Sequence, residues 1–411
     1  MSSTPSPTPS FWRRNLWIIW FAEFTAVLGF SSVLPILPFY VQRLGVAEPS
    51  AVKLWSGAIF SAHAVTMAVM APLWGSLADR YGRKPMVERA MFGGALAIGL
   101  MALARTPFQV VVLRAFQGAL SGTVAAATTL VASMAPRDQL GRSLGFLQMA
   151  VYMGSSFGPM LGGAVADTLG FQATFWTTSL LLLLGGLAVF LWVREDFSPP
   201  PTSRTRRMSL LENFRAVLSS AALASVFGVR FLARMAGRLL APVLPLVVQS
   251  LAPAGTAATL SGVVQGLNSA AGAVGSVVLG RLSDRLGERR VMLFCLLASA
   301  TLYVPQYFVG SIVPLTLLHT LSGFAMGGTI TALSATLASL APPGRQGTVY
   351  GLESTVTSLA NAVGPMLGTT LAVVGGLRMP FMGTAACFSL AGLATAFLVR
   401  RTPEKGDADG R

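Results

Sequence analysis

The chain has 411 residues, of which 53% are hydrophobic and 11% charged, and it carries a formal net charge of +15. Soluble domains carry about 25% charged residues, so this composition, with a mean hydropathy of +0.65, excludes a water-soluble enzyme or binding module. Cys295 and Cys387 both fall inside apolar runs and offer neither a disulfide framework nor a metal set.

A polar Ser/Thr/Pro stretch, residues 2–10, opens the chain and lacks the apolar core of a signal peptide. The first apolar run shows no cleavage pattern and reads as a retained anchor. Runs of roughly 20 apolar residues, the length that crosses the hydrocarbon core as helix, recur from there to the end. Twelve spans are expected near residues 15–41, 54–77, 86–104, 108–131, 142–166, 171–193, 221–248, 259–281, 290–309, 312–338, 347–372 and 379–399. They do not alternate apolar and polar residues, which argues against barrel strands.

The first span carries Glu23-Phe24, then Gly29 and Pro35. Between the second and third spans stands Gly75-Ser-Leu77-Ala-Asp79-Arg80-Tyr-Gly82-Arg83-Lys84. The fourth contains Arg114-Ala-Phe-Gln117-Gly118, and the fifth carries Gln148 and Tyr152, then Gly154-x-x-x-Gly158-Pro159-x-x-Gly162-Gly163. A loop over 194–220, with Arg204, Arg206 and Arg207, reads as a cytoplasmic linker, and residues 203–216 as a short amphipathic helix on the anionic inner leaflet. In the seventh span Arg230, Arg234 and Arg238 are spaced by four and share one helix face over about 12 Å. The eighth holds Asn268 and leads into Gly280-Arg-Leu-Ser-Asp284-Arg285-Leu-Gly287-Glu288-Arg289; the tenth carries His319, and the eleventh Glu353, Asn361 and Gly364-Pro365-Met-Leu-Gly368.

Several of these segments are copies. The hairpins at 75–84 and 280–289 are 205 residues apart, Pro35 and Pro38 precede Pro242 and Pro245 by 207, and the two Gly-Pro runs differ by 206. Such duplication is how many secondary transporters are built. With the N-terminus inside, 22 of the 30 Lys and Arg fall on the cytoplasmic side and only Arg43, Lys53, Arg105 and Arg378 outside. That asymmetry is the positive-inside rule. It places both termini in the cytoplasm and makes the basic charge a mark of topology; no nucleic-acid partner is expected.

The hairpin at Gly75, Asp79, Arg80, Gly82, Arg83 and Lys84 resembles the signature of the major facilitator superfamily, and the resemblance covers essentially the whole chain. It implies an all-α membrane protein of twelve helices in two pseudo-symmetric six-helix bundles, residues 1–193 and 221–411, joined by the linker 194–220. It further implies a cytoplasmic gate at that hairpin and at Gly280, Asp284 and Arg285. A substrate site near the midplane between the bundles is implied too, with Glu23, Gln148, Tyr152, Arg230, Arg234, Arg238, Asn268, Glu353 and Asn361 as candidate lining. The run Gly154, Gly158, Pro159, Gly162, Gly163 is similar to the antiporter motif of exporters, and Arg114-x-x-Gln117-Gly118 to an element linked to proton coupling. The Glu23 pattern is similar to that of drug/proton antiporters, in which a desolvated helix 1 acid takes up and releases protons.

The expectation is a monomeric, multi-pass transporter of the cytoplasmic membrane, exporting small organic molecules against protons without any other cofactor. Two alternatives remain open at this point: an uptake carrier for a metabolite, and a non-transporting sensor or scaffold. For Glu23 the alternative is a helix-end residue neutralised by an arginine. For the seventh span it is a later helix start, with Arg230 and Arg234 reaching the inner headgroups. If the helix does not start later, Arg114, Arg230, Arg234 and Arg238 outnumber the acids Glu23 and Glu353, and the cavity is positive and favours an anionic or zwitterionic substrate.

Overall fold

The computed structural model describes residues 9–197, 221–341 and 346–398. The expected amphipathic helix over 203–216 lies outside these residues. Regular structure among them is entirely helical. The first span is α1 (Pro9–Val33), a 3-10 turn (Leu34–Ile36) and α2 (Leu37–Arg43). Then follow α3 (Pro49–Tyr81), α4 (Lys84–Met101), α5 (Pro107–Leu120), α6 (Thr123–Met134), α7 (Leu140–Leu169) and α8 (Phe171–Trp192). The second series is α9 (Ala221–Leu239), α10 (Leu244–Leu251), α11 (Ala257–Leu286), α12 (Glu288–Phe308), α13 (Ile312–Leu340), α14 (Gln346–Val374) and α15 (Met379–Leu398).

Taken with their interruptions, these helices make twelve crossings, as expected. Ten are long and apolar enough to span a membrane by length and composition, and the other two are α4 and α7. In α4 the cause is visible: Lys84, Glu88 and Arg89 crowd its first two turns.

Three crossings are broken, each for a local reason. Proline removes an N–H and clashes with the preceding turn. Pro35 lies in the 3-10 turn after α1 and Pro38 in the first turn of α2, and likewise Pro242 lies in the break between α9 and α10 and Pro245 in the first turn of α10. These breaks obey the 207-residue repeat. The third does not. The crossing expected over 108–131 divides at Ser121-Gly122, where Gly122 takes φ +120°, a conformation that side chains rarely adopt. The carbonyls freed there are recovered: Trp74 Nε1 donates to Ala119 O at 2.6 Å and Arg89 Nη2 to Ser121 O at 3.0 Å. Arg89 also lies over the Trp74 ring, 3.8 Å from its centroid.

The chain divides into two compact units. One comprises Met1–Ser203 with Ala241–Ala270, and the other Arg204–Leu240 with Ala271–Arg411. In the first, α1 is the central helix, packed on α7 and α8, while α3 lies on α5 and α4 on α8. The second repeats the plan, with α9 on α14 and α15 and α12 on α13 and α15. Small residues make these approaches possible, as expected of helices that associate without a hydrophobic driving force.

Candidate functional site

Glu23 lies in the middle of α1, and its side chain is fully buried (0% exposed). Neither carboxyl oxygen has a hydrogen-bond partner, and no cation lies within ion-pair distance among the described residues. The neutralised helix-end alternative therefore does not hold. The repeat explains the isolation. At matching positions, Glu23 corresponds to Arg230 and Glu353 to Leu147, so the copy that keeps the acid on the first helix has leucine where a partner would stand. One turn before Glu23, Trp20 stacks on Phe24 (centroids 5.5 Å, planes 11° apart) and on Phe146 of α7 (5.5 Å, 24°).

The same unit holds the fifth-span glycines. A Cβ on Gly154 would come within 2.8 Å of Leu28 N, and one on Gly158 or Gly162 would overlap the carbonyl of Leu28 or Ser32. These three glycines thus seat α1 backbone to backbone on α7, one to two turns beyond Glu23. Ser32 Oγ seals the contact by donating to Gly158 O at 2.8 Å. Pro159 and Gly163 serve the other side of α7: Gly262 fits against the Pro159 carbonyl, and Gly163 against that of Ala258. Asp167 Oδ2 then accepts the backbone N–H of Thr259 at 2.7 Å, in the first turn of α11. Gln148 is exposed and Tyr152 half-buried on α7, and Asn268 is half-buried on α11.

Arg114 in α5 is buried (4% exposed), with Nη1 donating to Gln117 Oε1 at 2.6 Å and Nε without a partner. Gly118 completes the element, because any side chain there would overlap the His63 carbonyl of α3. Gly118 therefore packs α5 on α3, and Gln117 holds the Arg114 guanidinium from within α5.

In the second unit the three arginines of α9 have separate surroundings. Arg230 forms an ion pair with Glu353 of α14, and its Nη1 donates to Ser334 Oγ of α13 at 3.1 Å. Arg234 lines a small cavity with Arg230, Met326 and Thr329. Arg238 Nε donates to Asn361 Oδ1 at 3.0 Å. The later helix start is ruled out: α9 already runs from Ala221, and Arg230 is buried in a pair instead of reaching for headgroups. Two pairs among the expected lining residues thus come together, Arg230 with Glu353 and Arg238 with Asn361. In α13, His319 Nδ1 lies 3.1 Å from Gln306 Oε1, and Gln306 Nε2 donates to Ser322 Oγ at 2.9 Å, a buried network.

At the hairpin, Gly82 ends α3 with φ +99°. Asp79 and Arg80 are exposed, and Arg80 lies over the Tyr81 ring at 5.3 Å. A Cβ on Gly75 would meet nothing within 4 Å, so no neighbouring helix packs closely on this glycine among the described residues. The principal partner is one that sequence reading missed. Glu195, just past α8, accepts the Arg83 N–H at 2.9 and 3.0 Å and the Lys84 N–H at 2.8 Å, capping α4. Its place in the charged run Arg194-Glu195-Asp196 looks like the start of a linker, which hid it. Lys84 Nζ donates to Phe190 O at 3.0 Å, and in the second copy Arg289 Nη2 donates to Ala396 O at 2.9 Å. The second hairpin otherwise presents exposed Asp284 and Arg285, and a Cβ on Gly280 would lie 3.1 Å from Thr331.

The family model of the Major Facilitator Superfamily matches this chain twice, over residues 19–231 and 226–411. The multidrug resistance protein MdtG of Enterobacter lignolyticus is 33% identical over 398 residues, 97% of this chain and 95% of that protein. Its namesake in Salmonella typhimurium is 33% identical over 383 residues, covering 93% and 94% of the two chains. A solved bacterial homologue of the human lysosomal transporter Spinster superposes with a TM-score of 0.76 at 15% identity, covering 96% of this chain and all of that one.

Proposed function

The chain belongs to the major facilitator superfamily and is a secondary active transporter, and from that premise we propose that it exports small organic molecules in exchange for protons. Drug-like compounds and amphipathic metabolites are the cargo class, the direction following the multidrug resistance relatives.

One observation supports proton coupling above the others. Glu23 is a buried carboxyl with no hydrogen-bond donor and no ion-pair partner among the described residues, in the middle of a membrane-spanning helix. An ionised carboxylate in that setting has nothing to offset its lost hydration. The group therefore holds a proton while buried and gives it up where water reaches it, which suits a carrier that loads on one face and unloads on the other. Arg114, anchored by Gln117, supplies a fixed positive charge in the same unit and acts as modulator. The hairpins at 75–84 and 280–289 act at the cytoplasmic ends of their spans, with both termini inside, in a monomer of the bacterial cytoplasmic membrane. The proton is the only coupling species the mechanism requires.

Everted vesicles with an acidic interior test this. The wild type accumulates a dye substrate when the gradient is imposed, and Glu23→Gln loses that dependence by an order of magnitude or more while still exchanging labelled for unlabelled dye. Gradient-driven uptake that survives in Glu23→Gln would overturn the assignment.

A further inference from the structure

Arg238 stands apart from the other arginines of α9. Arg230 is paired with Glu353 of α14. Arg238 is exposed, has no ion pair, and makes a single protein hydrogen bond among the described residues, to the uncharged amide of Asn361. It lies within two residues of the centre of the 31-residue segment Ala221–Leu251. At 1.5 Å per residue the two ends are about 25 Å and about 20 Å away, beyond the reach of an arginine side chain. An arginine facing hydrocarbon at that depth is strongly disfavoured. Its exposed surface therefore faces water within the protein.

The arginine is also held. A Cβ on Gly364 would lie 2.7 Å from the Arg238 Cβ, so the backbone of α14 confines the base of the side chain. Asn361, one turn earlier on α14, takes Nε. The Nη1–Nη2 edge is left open, and that edge offers two parallel N–H donors to a planar or tetrahedral oxyanion.

We infer that Arg238, oriented by Asn361, is an anion-recognition residue, and that the cargo class includes amphipathic molecules bearing a carboxylate or similar oxyanion in preference to cations. This rests on the transporter reading above but not on its direction or its proton.

Three probes share one fluorophore and differ in charge: dansyl-glycine (anionic), dansyl amide (neutral) and dansylcadaverine (cationic). Equilibrium binding to the full chain in nanodiscs, without a pH gradient, gives their ranking. The wild type should bind dansyl-glycine about tenfold more tightly than dansylcadaverine, a difference of about 1.4 kcal/mol. Arg238→Gln should erase that preference and leave dansyl amide binding within about twofold, which also shows that the variant is folded; Arg238→Lys should retain part of the preference. Asn361→Ala should weaken dansyl-glycine alone, by a smaller factor. Equal binding of the three probes by the wild type, or an unchanged ranking in Arg238→Gln, would overturn the inference. Should Arg238→Gln not fold, the wild-type ranking and the Arg238→Lys variant decide it. Loss of gradient-driven flux with the ranking intact would instead count against the proton-coupled reading.

Discussion

Glu23 and Arg230 occupy equivalent places in the two repeats, yet among the described residues only Arg230 has a partner of opposite charge. Removing one member of a buried pair strands the other, at a cost of about 3–5 kcal/mol, whereas replacing both with apolar residues of similar size is often near neutral. Glu353→Gln should therefore lower the melting temperature markedly, and Arg230→Leu with Glu353→Leu should recover most of the loss. Thermal unfolding in detergent measures both, and equal losses would show that the pair does more than satisfy itself. Glu195 is a second residue whose role is local. Glu195→Ala leaves the Arg83 and Lys84 N–H groups without their acceptor and should cost about 1 kcal/mol, the usual worth of a helix cap, seen as a lower melting temperature. Glu23 was legible in the sequence as an acid where hydrocarbon is expected. Its lack of a partner was legible only at one remove, through Leu147 standing where the other copy has Glu353. Glu195 was not legible, because a cap across more than 110 residues leaves no local pattern.

At the scale of elements, hydropathy located the crossings, and the prolines at 35, 38, 242 and 245 marked where two of them break. The break at Ser121-Gly122 gave no such sign. A lone glycine in an apolar run reads as continuous helix, and only the positive φ and the donors Trp74 and Arg89 on neighbouring helices make the interruption affordable. The glycines of α7 were legible as a packing face, but not as two faces, one for α1 and one for α11. Their separation gives a prediction. Gly162→Val collides with the Ser32 backbone and should abolish folded protein, since neither backbone can retreat without parting α1 from α7. Gly141→Val, at an exposed site on the same helix with nothing within 4 Å of its Cβ, should express normally. Size-exclusion chromatography of the two variants separates close packing from a general intolerance of bulk.

The duplicated hairpins point to two related halves, and the family model matches the chain twice, over residues 19–231 and 226–411. Offsets of 205 to 207 residues name equivalent positions but do not say which of them meet. Gln42 and Gln249 are 207 apart and exchange reciprocal amide hydrogen bonds of 3.0 Å, a pairing of equivalents that only the fold reveals. The Asp167–Thr259 bond likewise ties α7 to α11. These bonds join residues of the first repeat to residues of the second, and we propose that alternating access parts them in each cycle. Gln42→Cys with Gln249→Cys should therefore form a crosslink under mild oxidation that stops transport, with activity returning on reduction. A crosslinked protein that transports at the full rate would show that these contacts do not open.

The exchange of a proton for cargo is the claim on which the rest depends. It is tested most directly in liposomes that enclose a pH-sensitive dye, with no gradient imposed, when an exportable substrate is added to one side. Substrate moving through the wild type should drive a proton flux in the opposite direction, and Glu23→Gln should carry substrate exchange with no accompanying pH change. Substrate flux through the wild type without proton movement, or proton movement in the same direction as the substrate, would contradict it.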